Sequence, residues 1–187
     1  MHTPPSDLRH CERSEAIHDF RGHGLPRCAR SDGPKQPPPL LLLGWGNLSR
    51  GDDALGPLCV AALREHLPEN LQDQVEFLDD YQLQIEHALD LMGRQRVLLI
   101  DASLSCSAPF QVTPLQPAQD ASLTTHALSP QTLLQIYQDM QGEPPPPCTL
   151  LAIRGEKFEL GEPPSPAALA HLKRAVAWAS QWLQSAA

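Results

Sequence analysis

Residues 40–56 read LLLLGWGNLSRGDDALG, and the fold of this 187-residue chain is legible from that stretch. Four leucines in a row, Leu40–Leu43, show no polar alternation, which is the pattern of a strand buried on both faces. A glycine-rich turn follows. Ala54–Leu67 then places Leu55, Leu58, Cys59, Ala62 and Leu63 on one helical face, and Pro68 stops the helix. A doubly buried strand running straight into a helix opens an α/β unit.

The same alternation continues downstream. Val75–Leu78 and Arg96–Asp101 read as strands, with a helix at Leu83–Met92 between them closed by Gly93. Phe110–Leu115 is a further strand, assigned to an edge because Pro114 lacks the amide a central strand needs. Ser129-Pro130 caps a helix over Gln131–Gln141, Cys148–Ile153 is another buried strand, and Ser165-Pro166 opens a final helix to about Gln184. Leu169, Leu172, Val176, Ala179 and Leu183 form its predicted apolar stripe. The expected class is therefore α/β, a three-layer α/β/α sandwich with a mainly parallel, twisted sheet of about five strands.

Residues 1–39 read differently. They hold seven of the 20 prolines and four of the eight histidines, and show no sustained apolar period. The expectation is a disordered or mis-assigned N-terminal extension, with the protein proper beginning near Leu40 and residues 40–187 forming a single domain. A zinc site from Cys11, His18, His23 and Cys28 is disfavoured, because those spacings match no common zinc module.

Composition narrows the function classes. The formal charge is −8, which argues against nucleic-acid or anionic-membrane partners. No apolar run reaches the roughly 18 residues of a membrane helix. Three scattered cysteines beyond residue 39, Cys59, Cys106 and Cys148, suggest no disulfide framework and a reducing, cytoplasmic setting. A monomer is expected.

In parallel sheets, ligands collect beyond the carboxyl ends of the strands. Asp52 and Asp53 lie just past the first strand, Asp101 ends the strand Val97–Ile100, and His126 stands before the capped helix at Ser129. The plain reading of Asp52-Asp53 is a helix cap and a first-turn acid, with Asp52 the better cap. A carboxylate ending a buried strand is costly to desolvate unless paired or metal-bound, which favours a site at Asp101. Two carboxylates and an imidazole at one sheet edge suit a divalent transition metal. A dinucleotide site is disfavoured, since Ser49 replaces the third glycine and the acids would repel a pyrophosphate.

GWGNLSRGDDALGP, Leu78-Asp79-Asp80, LLIDAS and TTHAL, in this order, resemble the hydrogenase maturation endopeptidases, which process the large subunit of nickel–iron hydrogenases. YQLQIEHALDL resembles the branch serving soluble or bidirectional hydrogenases. The resemblance implies that Asp53, Asp101 and His126 are the catalytic and metal-contacting residues. It places Gly44, Gly46, Asn47, Asp52 and Asp79 in substrate-facing loops. It also implies that nickel arrives already installed in the precursor, with no permanent cofactor, although zinc, cadmium or calcium is able to occupy such a site in vitro. The partner is then a nickel–iron hydrogenase large-subunit precursor, whose C-terminal extension is cut off. Hydrolysis is by metal-polarised water or by Asp53 as general base. This chain departs from the family at Asp79-Asp80-Tyr81, which lacks the usual glycines. Two other readings remain, a nucleotide-binding α/β enzyme and a maturation chaperone that grips its partner without cutting.

Overall fold

A continuous aliphatic strand needs cover on both sides, and the computed structural model, which describes residues 36–119 and 128–185, supplies it. β1 (Leu40–Trp45) lies between β2 (Val75–Asp80) and β3 (Arg96–Ser103), parallel to both. β5 (Cys148–Arg154) pairs with β3 in parallel, and β4 (Phe110–Pro114) closes the sheet antiparallel to β5. The order is β2-β1-β3-β5-β4. The sheet is thus five-stranded and parallel except at the edge strand that carries Pro114.

Along β1 the side chains alternate between two cores. Leu40 and Leu42 face a cluster with Leu55, Cys59 and Leu63 of α1 (Leu55–Glu65) and Ala175, Ala179 and Leu183 of α4 (Pro166–Gln184). Leu41 and Leu43 face the other cluster, with Ala88 of α2 (His87–Asp90) and Leu133, Leu134 and Tyr137 of α3 (Pro130–Gln141). All four leucines are at most 1% exposed. At about 25 cal/mol per Å² of apolar surface, each contributes on the order of 2 kcal/mol to folding.

Two sequence expectations are corrected here. Leu83–Met92 is helical for only one turn, His87–Asp90, because the His87 ring takes the Gln84 amide at 2.9 Å and holds the preceding segment in a turn. The α4 stripe holds at Ala179 and Leu183, which are buried, and at Leu172 and Val176, which pack against the same core, but Leu169 is 45% exposed, and Ala168, Ala175 and Trp182 join the seam instead. Pro39 O accepts from the amides of Gln95 and Arg96, and Pro38 O accepts from Arg94 Nη1. The expectations for residues 1–35, including the Cys11, His18, His23 and Cys28 set, lie outside the described residues.

Both serine caps form as read. Ser129 accepts from the Thr132 amide and Ser165 from the Ala168 amide, each at 3.2 Å with proline at the first helical position. No described helix is long and apolar enough to cross a membrane.

Candidate active site

After β1 the chain leads toward β2 on one side, and after β2 it crosses to β3 on the other. The carboxyl ends of β1 and β3 therefore mark the point where strand order reverses, where loops diverge and leave a crevice. A pocket of about 240 Å³ opens there, lined by Trp45, Gly46, Arg50, Asp53, Tyr81, Gln82, Leu83, Asp101, Ala102 and Leu128. Two of the three residues singled out from sequence, Asp53 and Asp101, thus share one pocket. His126 lies outside the described residues. Among the described residues, no group of three His, Cys, Asp or Glu side chains is arranged to hold a metal ion.

Asp53 reaches the pocket from the 3₁₀ turn Gly51–Ala54 that precedes α1. Its Oδ2 accepts from the Asn47 amide at 3.0 Å, which leaves Oδ1 free. Gly46 makes this turn possible with φ of 142°, a conformation L side chains rarely adopt. A methyl group there would also run into the Asp53 carbonyl oxygen. Gly46→Ala is expected to cost about 2–4 kcal/mol by strain and displacement. Urea unfolding checks this, and an unchanged midpoint would refute it.

Asp101 is held in a drier setting. Burial pushes its carboxyl up to about 7, opposed by a hydrogen bond from the Ala102 amide, reinforced by the nearby charge of Asp53, and opposed again by the Trp45 side chain. The Ala102 amide donates to Oδ1 at 2.8 Å. A buried carboxyl held up by desolvation and by a neighbouring acid is a group that gains from a bound cation.

Asp52 belongs elsewhere. It is fully buried and neither caps the helix nor faces the pocket. Its Oδ2 accepts from the amides of Glu156 and Lys157 at 2.7 and 2.9 Å and from Ser165 Oγ at 3.0 Å, while Oδ1 accepts from the Ser165 amide at 2.6 Å. Burial alone would raise its carboxyl, but these donors outweigh it and hold the group below the ordinary carboxylate range. Asp52 therefore clamps the 156–165 loop onto the turn that carries Asp53.

Of the other loop residues, Gly44 is buried. A Cβ there would stand 2.6 Å from Gly56 O, so its role is close packing of α1 on β1. Asn47 and Asp79 line a second hollow of about 350 Å³, together with Gly46, Leu48, Pro57, Asp80 and Tyr81. Asp79 pairs with Arg64 at 3.2 Å, both about half exposed, an ion pair of little energetic value. Sequence reasoning passed over Trp45, Arg50 and Tyr81 as site residues. The signal was present for Trp45 and Tyr81, which stand at the ends of neighbouring strands.

Among the described residues, the cysteines offer no nucleophile. Burial pushes the thiols of Cys59 and Cys148 up to about 12. Cys106 Sγ donates to Ala152 O at 3.4 Å and is buried. Arg154 turns inward to Cys106 O at 3.1 Å. His66 bonds the Ala62 carbonyl at the end of α1, and His87 faces Asp80 at 3.4 Å.

No protein-family model and no curated protein sequence matches the chain. Among solved structures, it is similar to the hydrogenase maturating endopeptidase HybD from E. coli. The identity is 26%, the match covers 79% of this chain and 93% of that one, and the TM-score is 0.62. It is similar too to the [NiFe] hydrogenase maturation protease HycI from Thermococcus kodakarensis, at 19% identity, with 78% and 92% of the two chains covered and a TM-score of 0.61. The hydrogenase 2 maturation peptidase from a Thaumarchaeota archaeon matches at 23% identity, 77% and 97% coverage, and a TM-score of 0.55. The last two likenesses concern the fold alone. Agreement across nearly the full length of the E. coli enzyme joins the signature turn in one likeness: this chain is similar, in fold and in sequence signature, to the hydrogenase maturation endopeptidases.

Proposed function

We propose that the protein is an endopeptidase that removes the C-terminal extension of a nickel–iron hydrogenase large-subunit precursor once nickel is in place. The observation that carries this reading is the convergence of Asp53 and Asp101 on one pocket at the switch point of the sheet. Nickel here is part of the substrate. Its charge offsets the mutual repulsion of the two carboxylates, so a metal-loaded precursor docks where an empty one leaves two acids uncompensated. Asp53, with one oxygen fixed by Asn47 and the other free, takes the proton of the attacking water as general base. His126 completes the metal contacts in this reading. The family branch serving soluble or bidirectional hydrogenases is the proposed source of the partner.

The test is to incubate nickel-loaded and nickel-free precursor with the protein and to follow the mass of the large subunit. Shortening of the loaded form alone is expected. Equal cleavage of both defeats the nickel-reading step, and binding without shortening favours a non-cleaving chaperone. His126→Ala is expected to lower processing at least 100-fold, the scale of losing one essential site group; wild-type rates would remove His126 from the site.

A further inference from the structure

Tyr81 stands directly after β2, where the pocket of Asp53 and Asp101 meets the second hollow, and it lines both. Its ring is 58% exposed, yet its hydroxyl is tethered, accepting from Asn47 Nδ2 at 3.1 Å. The backbone amide of the same Asn47 donates to Asp53 Oδ2 at 3.0 Å. Asn47 is itself set by a bond from the Ser49 amide to its Oδ1 at 2.9 Å. One residue therefore fixes both an acid and a phenol at the pocket.

The hydrogen count assigns the phenol a direction. A tyrosine hydroxyl has one hydrogen to give. Because Asn47 is the donor in their bond, that hydrogen stays available, and no acceptor among the described residues takes it. Peptide hydrolysis places negative charge on the carbonyl oxygen as water adds, and a carboxylate offers that oxygen no donor. Arg50 also lines the pocket, and its carbonyl accepts from the Asp53 amide at 3.1 Å, but its side chain is turned to the 156–165 loop, with Nε donating to Phe158 O at 3.0 Å.

Resting on the endopeptidase reading above, we propose that Tyr81 is a further catalytic residue, whose hydroxyl donates a hydrogen bond to the carbonyl oxygen of the scissile peptide. In the balanced step, water oxygen bonds to the carbonyl carbon and its proton passes to Asp53. The C–N bond then breaks, and the proton moves from Asp53 to the leaving nitrogen. Tyr81 keeps its own proton throughout.

Tyr81→Phe removes the hydroxyl and keeps the ring. With nickel-loaded precursor, kcat is expected to fall about 100-fold, the effect of losing one such donor. KM and the thermal midpoint should be unchanged, because the side chain is largely exposed. A kcat within threefold of wild type overturns the proposal, as does a loss carried wholly by KM, which would make Tyr81 a binding wall only. If the wild-type protein leaves the nickel-loaded precursor intact, the endopeptidase reading fails and this one with it. Cleavage by wild type and variant at equal rates sinks this proposal alone.

Discussion

Asp52→Ala should unfold this protein far more readily than Asp53→Ala, although the two acids are neighbours in sequence. Removing the Asp52 carboxylate leaves the amides of Glu156, Lys157 and Ser165 and the Ser165 hydroxyl without their acceptor at a fully buried position. An unsatisfied buried donor costs about 1–3 kcal/mol, and part of that is recovered if the loop admits water. A net loss of about 3–4 kcal/mol is expected, or roughly a 10 °C fall in Tm for a domain of this size. Asp53 is only half buried and gives up one hydrogen bond, so its loss should stay within about 1 kcal/mol. Thermal unfolding of the two variants side by side decides the matter, and equal effects would show that Asp52 is not the clamp. The pH dependence has a definite sign. The folded-state pKa of Asp52 is depressed, so its contribution is present above the ordinary carboxylate value and is lost as pH falls through the lower folded value.

The second large effect runs the other way. Asp101 has a carboxyl raised from 3.8 to about 7 in the folded protein. Between those values the folded state holds a proton that the unfolded chain has released, so stability falls as pH rises across that window. At 1.36 kcal/mol per pH unit, the full penalty above pH 7 is about 4 kcal/mol. Asp101→Asn cannot ionise and keeps an acceptor for the Ala102 amide. In metal-free buffer it should be more stable than the parent by roughly 2–4 kcal/mol at pH 8 and closely matched at pH 4, while losing the proposed processing activity. Midpoints measured from pH 4 to 8 test this, and parallel curves for parent and variant would contradict it. A strongly shifted carboxyl in a crevice, destabilising its own fold at neutral pH, is a pattern that clusters at functional sites.

The two acids at 52 and 53 also mark where reading a sequence stops. On local chemistry both are first-turn acids, and Asp52 is the better cap. The 3₁₀ turn rotates them apart, so Asp52 meets the amides of a loop more than a hundred residues away while Asp53 reaches the pocket. Nothing in GDDALG encodes that distant loop. Tyr81 is a similar case. It looks like an exposed loop residue until the parallel pairing of β1 with β2 brings it beside Asn47.

Local order left a plain record in the chain. The aliphatic run Leu40–Leu43, the strand that carries Asp101, the proline that sends Phe110–Pro114 to an edge, and the serine caps at 129 and 165 each follow from short-range sterics, hydrogen bonding and burial. Those forces act within a few residues, so their signature is contiguous and periodic. Which carboxylate is buried as a clamp, which faces the pocket, and which hydroxyl stands beside them depend on the crossing from β2 to β3. That crossing juxtaposes residues dozens of positions apart, and the energy of such contacts exists only once the sheet has closed around them.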